Sequence, residues 1–273
     1  MPIEIKKIRS FWNEHPLLAG EIDALVGSDE WFKKFDVIKI DDILLKDIDT
    51  WVDKNLAGKR VLDVGCGPGF WARQFSRIGA EYVGIDISDQ SVKIARQGQT
   101  LYGLKGSFLV GNAEHLPFRD GVFDHVNCEG VIHHTTHTDQ CVSEFFRVLK
   151  SGGGSGCVSV YYRNVLLRNP ALFKAILLLM QRFRIGLKGH NHEKMVRTDD
   201  PNEFVRMYDG ADNPTGKCYT RGEVVRMFGS FKLLAVERYY FPQRAMPIRL
   251  PKWMHFFLSK RIGLMIMVRF CKP

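Results

Sequence analysis

The sequence lacks the features of disulfide-stapled, zinc-binding, secreted and membrane-spanning proteins. Its six cysteines include no Cys-x-x-Cys pair, so neither a disulfide framework nor a zinc knuckle is predicted. The N-terminal stretch MPIEIKKIRSFW has no apolar signal core. The longest apolar run, ALFKAILLLM, is interrupted by Lys174 and is shorter than the ~20 residues that span a bilayer. We therefore expect a cytoplasmic protein without a transmembrane segment.

The composition is ordinary for a folded domain but is biased towards basic residues. The 273 residues are 45% apolar and 25% charged, which argues against extensive disorder. The formal net charge is +9. A basic surplus favours an acidic partner, which could be a nucleic acid, an anionic lipid or a phosphorylated small molecule, and the total does not choose among them.

Strand-like and helix-like segments alternate between residues 60 and 163. The apolar runs RVLDVG, YVGID, SFLVG, FDHVNC and SGCVSVYY have the length of buried strands. Between the last two, Val142, Phe145, Phe146 and Leu149 follow the i, i+3, i+4, i+7 spacing of one helix face. Such alternation predicts right-handed crossovers and a parallel sheet that is covered on both faces.

Two later runs, KLLAVERYYF and LMIMVRF, predict two more strands, and Thr220 and Glu223 have the spacing of a helix capping box. We expect an α/β fold with a doubly wound, seven-stranded, mostly parallel, Rossmann-like sheet. Residues 1–57 are predicted as an N-terminal helical lid and residues 58–163 as the ligand-binding core. Residues 164–219 are predicted as a helical cap inserted after the fifth strand, and residues 220–273 as the last helix and strands of the sheet.

The stretch VLDVGCGPGF places three glycines after the first strand. Glycines there let the backbone approach a ligand closely. A dinucleotide site prefers Gly-x-Gly-x-x-Gly, but here Phe70 stands where the third glycine of that motif is needed. Asp63 disfavours a pyrophosphate and favours a cationic ligand, although it could instead cap the amides of the loop. Asp86, at the end of the second strand, can accept both ribose hydroxyls of either cofactor class.

The ordered segments LDVGCGPG, GIDIS, GNAEHLPF, FDHVNCEGVIHH and RVLKSGG resemble the class I S-adenosylmethionine-dependent methyltransferases. They are most similar to the branch that contains the ubiquinone and menaquinone methylases and many small-molecule methyltransferases. The resemblance covers residues 55–163 most clearly. It implies an antiparallel last strand inserted beside the sixth, and LMIMVRF fits that place.

The resemblance also implies a set of cofactor-binding residues. Asp63 would lie near the methionine ammonium group of S-adenosylmethionine, Asp86 would hold the ribose hydroxyls, and Asn112 would meet the adenine where family members commonly have Asp. The complete implied set is Asp63, Gly65, Gly67, Gly69, Asp86, Ile87, Asn112, Ala113, Glu129 and Gly130.

Histidines and cap residues are candidates for the chemistry itself. His133, His134 and His137 follow the fourth strand, and each could remove a proton from a methyl acceptor or could simply pack within the loop. No third ligand accompanies them, so no metal is predicted. Candidate substrate contacts are Trp12 in the lid, Tyr161 at the end of the fifth strand, and Tyr208, Lys217 and Tyr219 in the cap, for which a surface loop is the alternative.

These observations favour a methyltransferase for a small-molecule acceptor, anionic or lipid-like, methylated on O, N or C. Methylation of nucleic acid is the alternative suggested by the basic charge, but no Asn-Pro-Pro-Tyr or Asp-Pro-Pro-Tyr follows the fourth strand. A non-enzymatic or NAD-using protein with a similar sheet is the third possibility. The tail RLPKWMHFFLSKRIGLMIM could touch a membrane surface, but we expect its aromatic residues to be buried in a crossover.

Overall fold

A computed structural model describes residues 3–43, 51, 54–182, 198–243 and 249–273. The strands are β1 Arg60–Val64, β2 Glu81–Asp86, β3 Ser107–Val110, β4 His125–Glu129, β5 Ser155–Tyr162, β6 Cys218–Tyr219, β7 Lys232–Tyr239 and β8 Met265–Cys271. The helices are α1 Ile3–Glu14, α2 Asp29–Asp42, α3 Phe70–Arg77, α4 Asp89–Leu101, α5 Thr138–Val148, α6 Pro170–Arg182, α7 Pro201–Tyr208, α8 Arg221–Met227 and α9 Lys252–Ile262.

The strands form one sheet in the order β3-β2-β1-β4-β5-β8-β7. Strands β1 to β5 pair in parallel, whereas β8 pairs antiparallel with both β5 and β7. All seven predicted strands are present and the last one is inserted as expected, so the predicted fold class is confirmed. The two-residue strand β6, which pairs in parallel with the end of β5, was not predicted because it is too short to show a periodic pattern.

Alternation along the central strands divides the core into two layers. Val61 belongs to a cluster with aromatic residues of α2 and α3, such as Phe32 and Phe75. Its neighbour Leu62 belongs to the opposite cluster, with Phe145 of α5. The sheet is therefore buried on both faces, as expected for parallel strands joined by helical crossovers.

Caps predicted from the sequence fix two of the helices. The Ser88 side chain accepts a hydrogen bond from the Ser91 amide at the start of α4. Thr220 and Glu223 form the capping box that begins α8, each side chain accepting from the other residue's backbone N–H. These contacts satisfy amides that a helix N-terminus leaves without partners.

The segments predicted as lid and cap each contain helices. Helices α1 and α2 lie in residues 1–57, and α2 packs on α3 and α4, with Arg73 of α3 ion-paired to Asp36. The predicted cap contains α6, α7 and β6, while its residues 183–197 lie outside the described residues. None of the described helices is both long enough and apolar enough to cross a bilayer.

The prediction that the aromatic residues of the C-terminal tail are buried is wrong. Trp253, Phe256 and Phe257 are 72%, 46% and 52% exposed. Helix α9 instead turns His255 and Ser259 inwards, and both bond the backbone of Phe241. Because these polar side chains occupy the inner face, the aromatic side chains point outwards.

Candidate cofactor and acceptor site

A pocket opens at the carboxyl ends of β1, β2, β3 and β4, where ligands bind in open α/β sheets. Most of the predicted cofactor residues line it: Gly65, Gly67, Asp86, Ile87, Asn112, Ala113, Glu129 and Gly130. Asp63 and Gly69 belong to the same region of the chain but are not among the lining residues.

The glycines of the turn after β1 have separate reasons to be glycine. Gly65 has φ +72°, and a Cβ there would overlap the side chain of Val131. Gly67 has φ +50° and faces open space, while its N–H donates to Oδ2 of Asp86 at 2.8 Å. Gly69 begins α3 in the left-handed region and packs against Ala95. Gly65 and Gly67 therefore shape the pocket, whereas Gly69 serves the packing of α3 on α4.

The carboxylate of Asp86 is held from two sides. Besides the bond from Gly67, Oδ1 accepts from the Ser88 amide at 2.8 Å. Burial raises the pKa of Asp86, and the two backbone bonds act in the opposite direction. Both bonds fix the acid at the mouth of the turn, in the place expected of a ribose-binding group.

Asp63 lies within the sheet, behind the pocket. Its Oδ2 accepts from the Tyr82 hydroxyl at 2.6 Å, and its Oδ1 accepts from Nδ2 of Asn127 at 2.7 Å. Burial raises the pKa of Asp63 to about 7, and the charges of Glu129 and Asp86 also raise it. The hydrogen-bond partners of Asp63 are side chains of the neighbouring strands, and they are neither the cationic ligand nor the loop amides considered from the sequence.

Glu129 is the acidic side chain that reaches the pocket from β4, and it carries contacts that the sequence did not predict. Lys39 of α2 donates to both of its carboxylate oxygens at 2.8 and 2.9 Å, and Nε1 of Trp71 donates to Oε2 at 2.7 Å. Lys39 and Glu129 are both largely buried. Lys39 is 90 residues away from Glu129, and no motif marks it.

The residues predicted to border the adenine are fixed by a local turn. Oδ1 of Asn112 accepts from the amide of Glu114 at 3.0 Å, and Ala113 lies between them in the lining. The carboxylate of Glu114 in turn accepts from the amides of Thr136 and His137. The loop after β3 and the loop after β4 are therefore tied together beside the pocket.

Helix α1 covers the pocket with apolar side chains. Ile5, Ile8 and Trp12 contribute to its lining. The helix is attached to the start of α4, since the Ser88 hydroxyl donates to the Trp12 carbonyl and Nδ2 of Asn13 donates to Oδ1 of Asp89. Trp12 was predicted here, and the two isoleucines were not.

The three candidate histidines occupy different environments. His134 lines the pocket, its Nδ1 lies 2.7 Å from the Thr215 carbonyl oxygen, and its ring centroid lies 5.2 Å from that of Trp12. His133 is buried and does not line the pocket; burial lowers its pKa well below the usual range, as do His134 and Lys217. His137 is exposed at the start of α5 and is not among the lining residues. Of the three candidate histidines, His134 is therefore the one that a molecule in the pocket can contact.

A polar cluster joins His134 to the predicted cap. Nε2 of His134 lies 3.1 Å from Oδ2 of Asp209, and the Tyr161 hydroxyl donates to the same carboxylate at 2.8 Å. The sequence did not predict this contact of Asp209, because 75 residues separate it from His134.

The other predicted substrate residues contact the protein itself. The Tyr208 hydroxyl bonds that of Tyr240 at 3.0 Å. Lys217 donates to the carbonyls of Thr135 and Thr136, and burial lowers its pKa. Tyr219 donates to Oγ1 of Thr138 at 2.8 Å. Within the described residues, no group of three His, Cys, Asp or Glu side chains could hold a metal ion.

Residues 62–155 match the family model described as "Methyltransferase domain". The core of this chain is a class I S-adenosylmethionine-dependent methyltransferase domain. The resemblance inferred from the sequence is therefore confirmed.

Curated relatives of this methyltransferase domain are named "Ubiquinone biosynthesis O-methyltransferase". The protein from Shewanella pealeana is 29% identical over 57% of this chain and 63% of its own length. The protein from Thiobacillus denitrificans is 37% identical over 58% of this chain and 66% of its own. The chain thus spans less than two thirds of the length of these relatives.

Solved structures share the fold of the methyltransferase at low sequence identity. Magnesium protoporphyrin IX methyltransferase from Synechocystis PCC 6803 has a TM-score of 0.58 and 16% identity, covering 98% of this chain and 99% of that one. A protein from Pyrococcus horikoshii OT3 has a TM-score of 0.55 and 18% identity, covering 97% of this chain and 99% of that one. The similarity extends over the lid and cap regions as well as the sheet.

Proposed function

We propose that this protein binds S-adenosylmethionine in the pocket above β1, β2, β3 and β4 and transfers its methyl group to a small-molecule acceptor. The observation that carries the proposal is the pair of carboxylates, Asp86 and Glu129, that face one pocket from the ends of β2 and β4. Asp86 suits the ribose hydroxyls, and Glu129 suits the ammonium group in the methionine portion of S-adenosylmethionine.

We assign one part of the cofactor to each loop that lines the pocket. Asp86 would accept the ribose hydroxyls, and Asn112 and Ala113 would border the adenine. Glu129 and Gly130 would flank the methionine portion, where Trp71 and Lys39 hold the Glu129 carboxylate in place. Asp63 would act from behind the turn, by holding Asn127 and Tyr82 and with them the ends of β1, β2 and β4.

The acceptor would lie between α1 and the cap. Trp12 and His134 are the ring-bearing side chains at that end of the pocket, and Tyr161 and Asp209 fix His134. The enzyme would align the acceptor atom with the methyl group and the sulfur, and such alignment can supply roughly 7–11 kcal/mol of the barrier. His134 is the candidate to take the acceptor's proton.

We favour an aromatic hydroxyl compound as the acceptor. The aromatic rings at the pocket suit a flat apolar molecule, and the curated relatives are named for O-methylation in ubiquinone biosynthesis. Helix α1 would serve as the lid and residues 164–219 as the acceptor cap. A cytoplasmic location stays a prediction, as does the absence of a nucleic-acid substrate.

Calorimetry with S-adenosylmethionine, S-adenosylhomocysteine and NAD tests the cofactor. We expect saturable binding of the first two ligands and none of NAD. Binding of NAD without binding of either sulfur compound would overturn the proposal. Methyl transfer from labelled S-adenosylmethionine to a panel of phenols, amines and carbon acids then tests the acceptor, and transfer to RNA alone would favour the nucleic-acid alternative.

A further inference from the structure

Helix α9 presents an aromatic surface to solvent. Trp253, Phe256 and Phe257 occupy positions i, i+3 and i+4, which lie on one side of a helix. About half or more of each side chain is exposed. Isolated exposed apolar residues are common on soluble proteins, but three large aromatic side chains on one helix face indicate an interaction site.

The same face is basic. Lys260 and Arg261 follow one turn later, and the guanidinium carbon of Arg261 lies 5.3 Å from the centroid of the Phe257 ring. Lys252 precedes Trp253. From residue 238 to the last residue the sequence contains no Asp or Glu. We call the side chains of Lys252, Trp253, Phe256, Phe257, Lys260 and Arg261 the α9 face.

The orientation of the α9 face is fixed by the contacts of its inner side. Nε2 of His255 lies 2.9 Å from the Phe241 carbonyl, and the Phe241 amide donates to Oγ of Ser259 at 3.0 Å. Nδ2 of Asn164 donates to the Ile262 carbonyl at 2.8 Å. The aromatic side chains therefore cannot rotate into the core without breaking buried hydrogen bonds.

The α9 face lies at the end of the sheet where the pocket opens. Met265 pairs with Tyr239, at the carboxyl end of β7, and with Tyr161, near the carboxyl end of β5. Helix α9 joins β7 to β8, so it leaves and re-enters the sheet at this edge. Helix α6, which follows β5 from the same edge, exposes Leu172, Leu178 and Leu179.

We propose that the α9 face docks the enzyme onto an anionic membrane surface. Aromatic side chains, tryptophan above all, favour the boundary between lipid headgroups and acyl chains. Lys and Arg side chains near the surface add electrostatic attraction to an anionic leaflet. Lys260 is paired with Glu237 of β7, 2.6 Å away, so the cations of the α9 face that weigh in the choice of partner are Lys252 and Arg261. A second copy of the chain would bring these cations against each other. Docking in this way brings the edge of the sheet at which the pocket opens near the lipid.

Sedimentation of the full-length protein with vesicles tests the proposal. We expect binding to vesicles that contain phosphatidylglycerol, weaker binding at high salt, and little binding to phosphatidylcholine alone. Tryptophan emission should shift to shorter wavelength on binding, because Trp253 is the most exposed of the five tryptophans, all of which lie in the described part of the chain.

Variants test whether vesicle binding depends on the α9 face or on exposed apolar and basic side chains anywhere on the protein. Trp253→Ser and Phe257→Ser should each weaken vesicle binding about tenfold, and Arg261→Glu should do the same at low salt. Leu25→Ser and Lys105→Glu replace exposed side chains elsewhere and should leave vesicle binding unchanged. Thermal unfolding of every variant should match the parent, since the replaced side chains are exposed.

Three outcomes would overturn the proposal. The first is equal vesicle binding by the parent and all the α9 variants. The second is absence of vesicle binding together with a dimer that Trp253→Ser disrupts, which would assign the α9 face to a second copy. The third is absence of vesicle binding together with salt-sensitive RNA binding that Arg261→Glu weakens, which would assign it to nucleic acid. Cofactor calorimetry is independent of all three.

Discussion

Nε2 of His134 lies 3.1 Å from Oδ2 of Asp209, and this contact joins the loop after β4 to the segment that follows α7. Nδ1 of the same ring must donate to the Thr215 carbonyl, because a carbonyl oxygen only accepts. Nε2 therefore faces the carboxylate of Asp209, and an acceptor bound in the pocket must compete with that carboxylate for Nε2.

Asp209→Asn tests whether this contact positions His134. We expect the rate of methyl transfer to fall about 10–100-fold, the range seen when the group that orients a functional histidine is removed. The affinity for S-adenosylhomocysteine should not change, because Asp209 does not line the pocket. Kinetics and calorimetry measure the two effects separately.

Asp212→Asn is the matched control for that variant. Asp212 lies three residues further along and is exposed, so its replacement should leave both quantities unchanged. An equal loss of activity in both variants would contradict a specific role for Asp209. A loss of cofactor affinity in Asp209→Asn would show that the cap, and not His134, responds to the change.

Gly67→Val should abolish cofactor binding in a folded protein. The added side chain would enter the pocket from the turn, and φ +50° would have to be kept by a β-branched residue. Gly121→Val is matched, since Gly121 has φ +64° and open space around it but lies outside the pocket lining. Calorimetry should show that Gly121→Val binds S-adenosylhomocysteine like the parent. Micromolar affinity retained in Gly67→Val would count against the placement of the cofactor.

The sheet and most of the pocket could be predicted because their signals are local. The glycine turn after β1 and the acid at the end of β2 lie within about thirty consecutive residues, from Arg60 to Asp89. The capping box at Thr220 is equally local. Each of these signals depends on a short-range hydrogen bond or a backbone angle, and these follow from neighbours in the sequence.

The contacts that complete the site could not be predicted in this way. Lys39 reaches Glu129 across 90 residues, and Asp209 reaches His134 through folding of the cap. Neither residue belongs to a pattern, because a surface helix and a turn tolerate charged residues at almost any position. The exposed aromatic residues of α9 were misjudged for a related reason: their i, i+3, i+4 spacing indicates one face but not which way it points.

Asp63→Asn should flatten the dependence of stability on pH. Burial raises the pKa of Asp63 to about 7, whereas an unfolded aspartate titrates near ~3.9. Between these values the folded protein holds a proton that the unfolded chain has released, so the free energy of unfolding falls as pH rises. The fall is at most roughly 4 kcal/mol. Asparagine carries no titrating proton and keeps hydrogen bonding with Tyr82 and Asn127.

Urea unfolding at several pH values between ~4 and ~7 measures this slope. A smaller slope of the same sign should remain, since burial also raises the pKa of Asp86. Glu144→Gln is the control: the hydrogen bond from Arg147 lowers the pKa of Glu144, so its stabilisation is complete above ~4.3 and lost below that pH. That variant should be less stable with the parent's slope. An unchanged slope in Asp63→Asn would contradict the assignment of this pH dependence to Asp63.

The Lys39–Glu129 ion pair should contribute to stability without any cofactor. Lys39→Met leaves a largely buried carboxylate with only the Trp71 donor, which should cost about 3 kcal/mol. Lys33→Met removes an exposed pair with Asp29 on the same helix and should cost less than about 1 kcal/mol.

Adding Glu129→Gln to Lys39→Met should restore most of the loss, because the amide needs no counter-charge. Urea unfolding of the parent, Lys39→Met, Glu129→Gln and the double variant gives the coupling between the two sites. Additive losses in the double variant would mean that Lys39 stabilises α2 by packing on Phe70, over whose ring its ammonium also lies, and not by its charge.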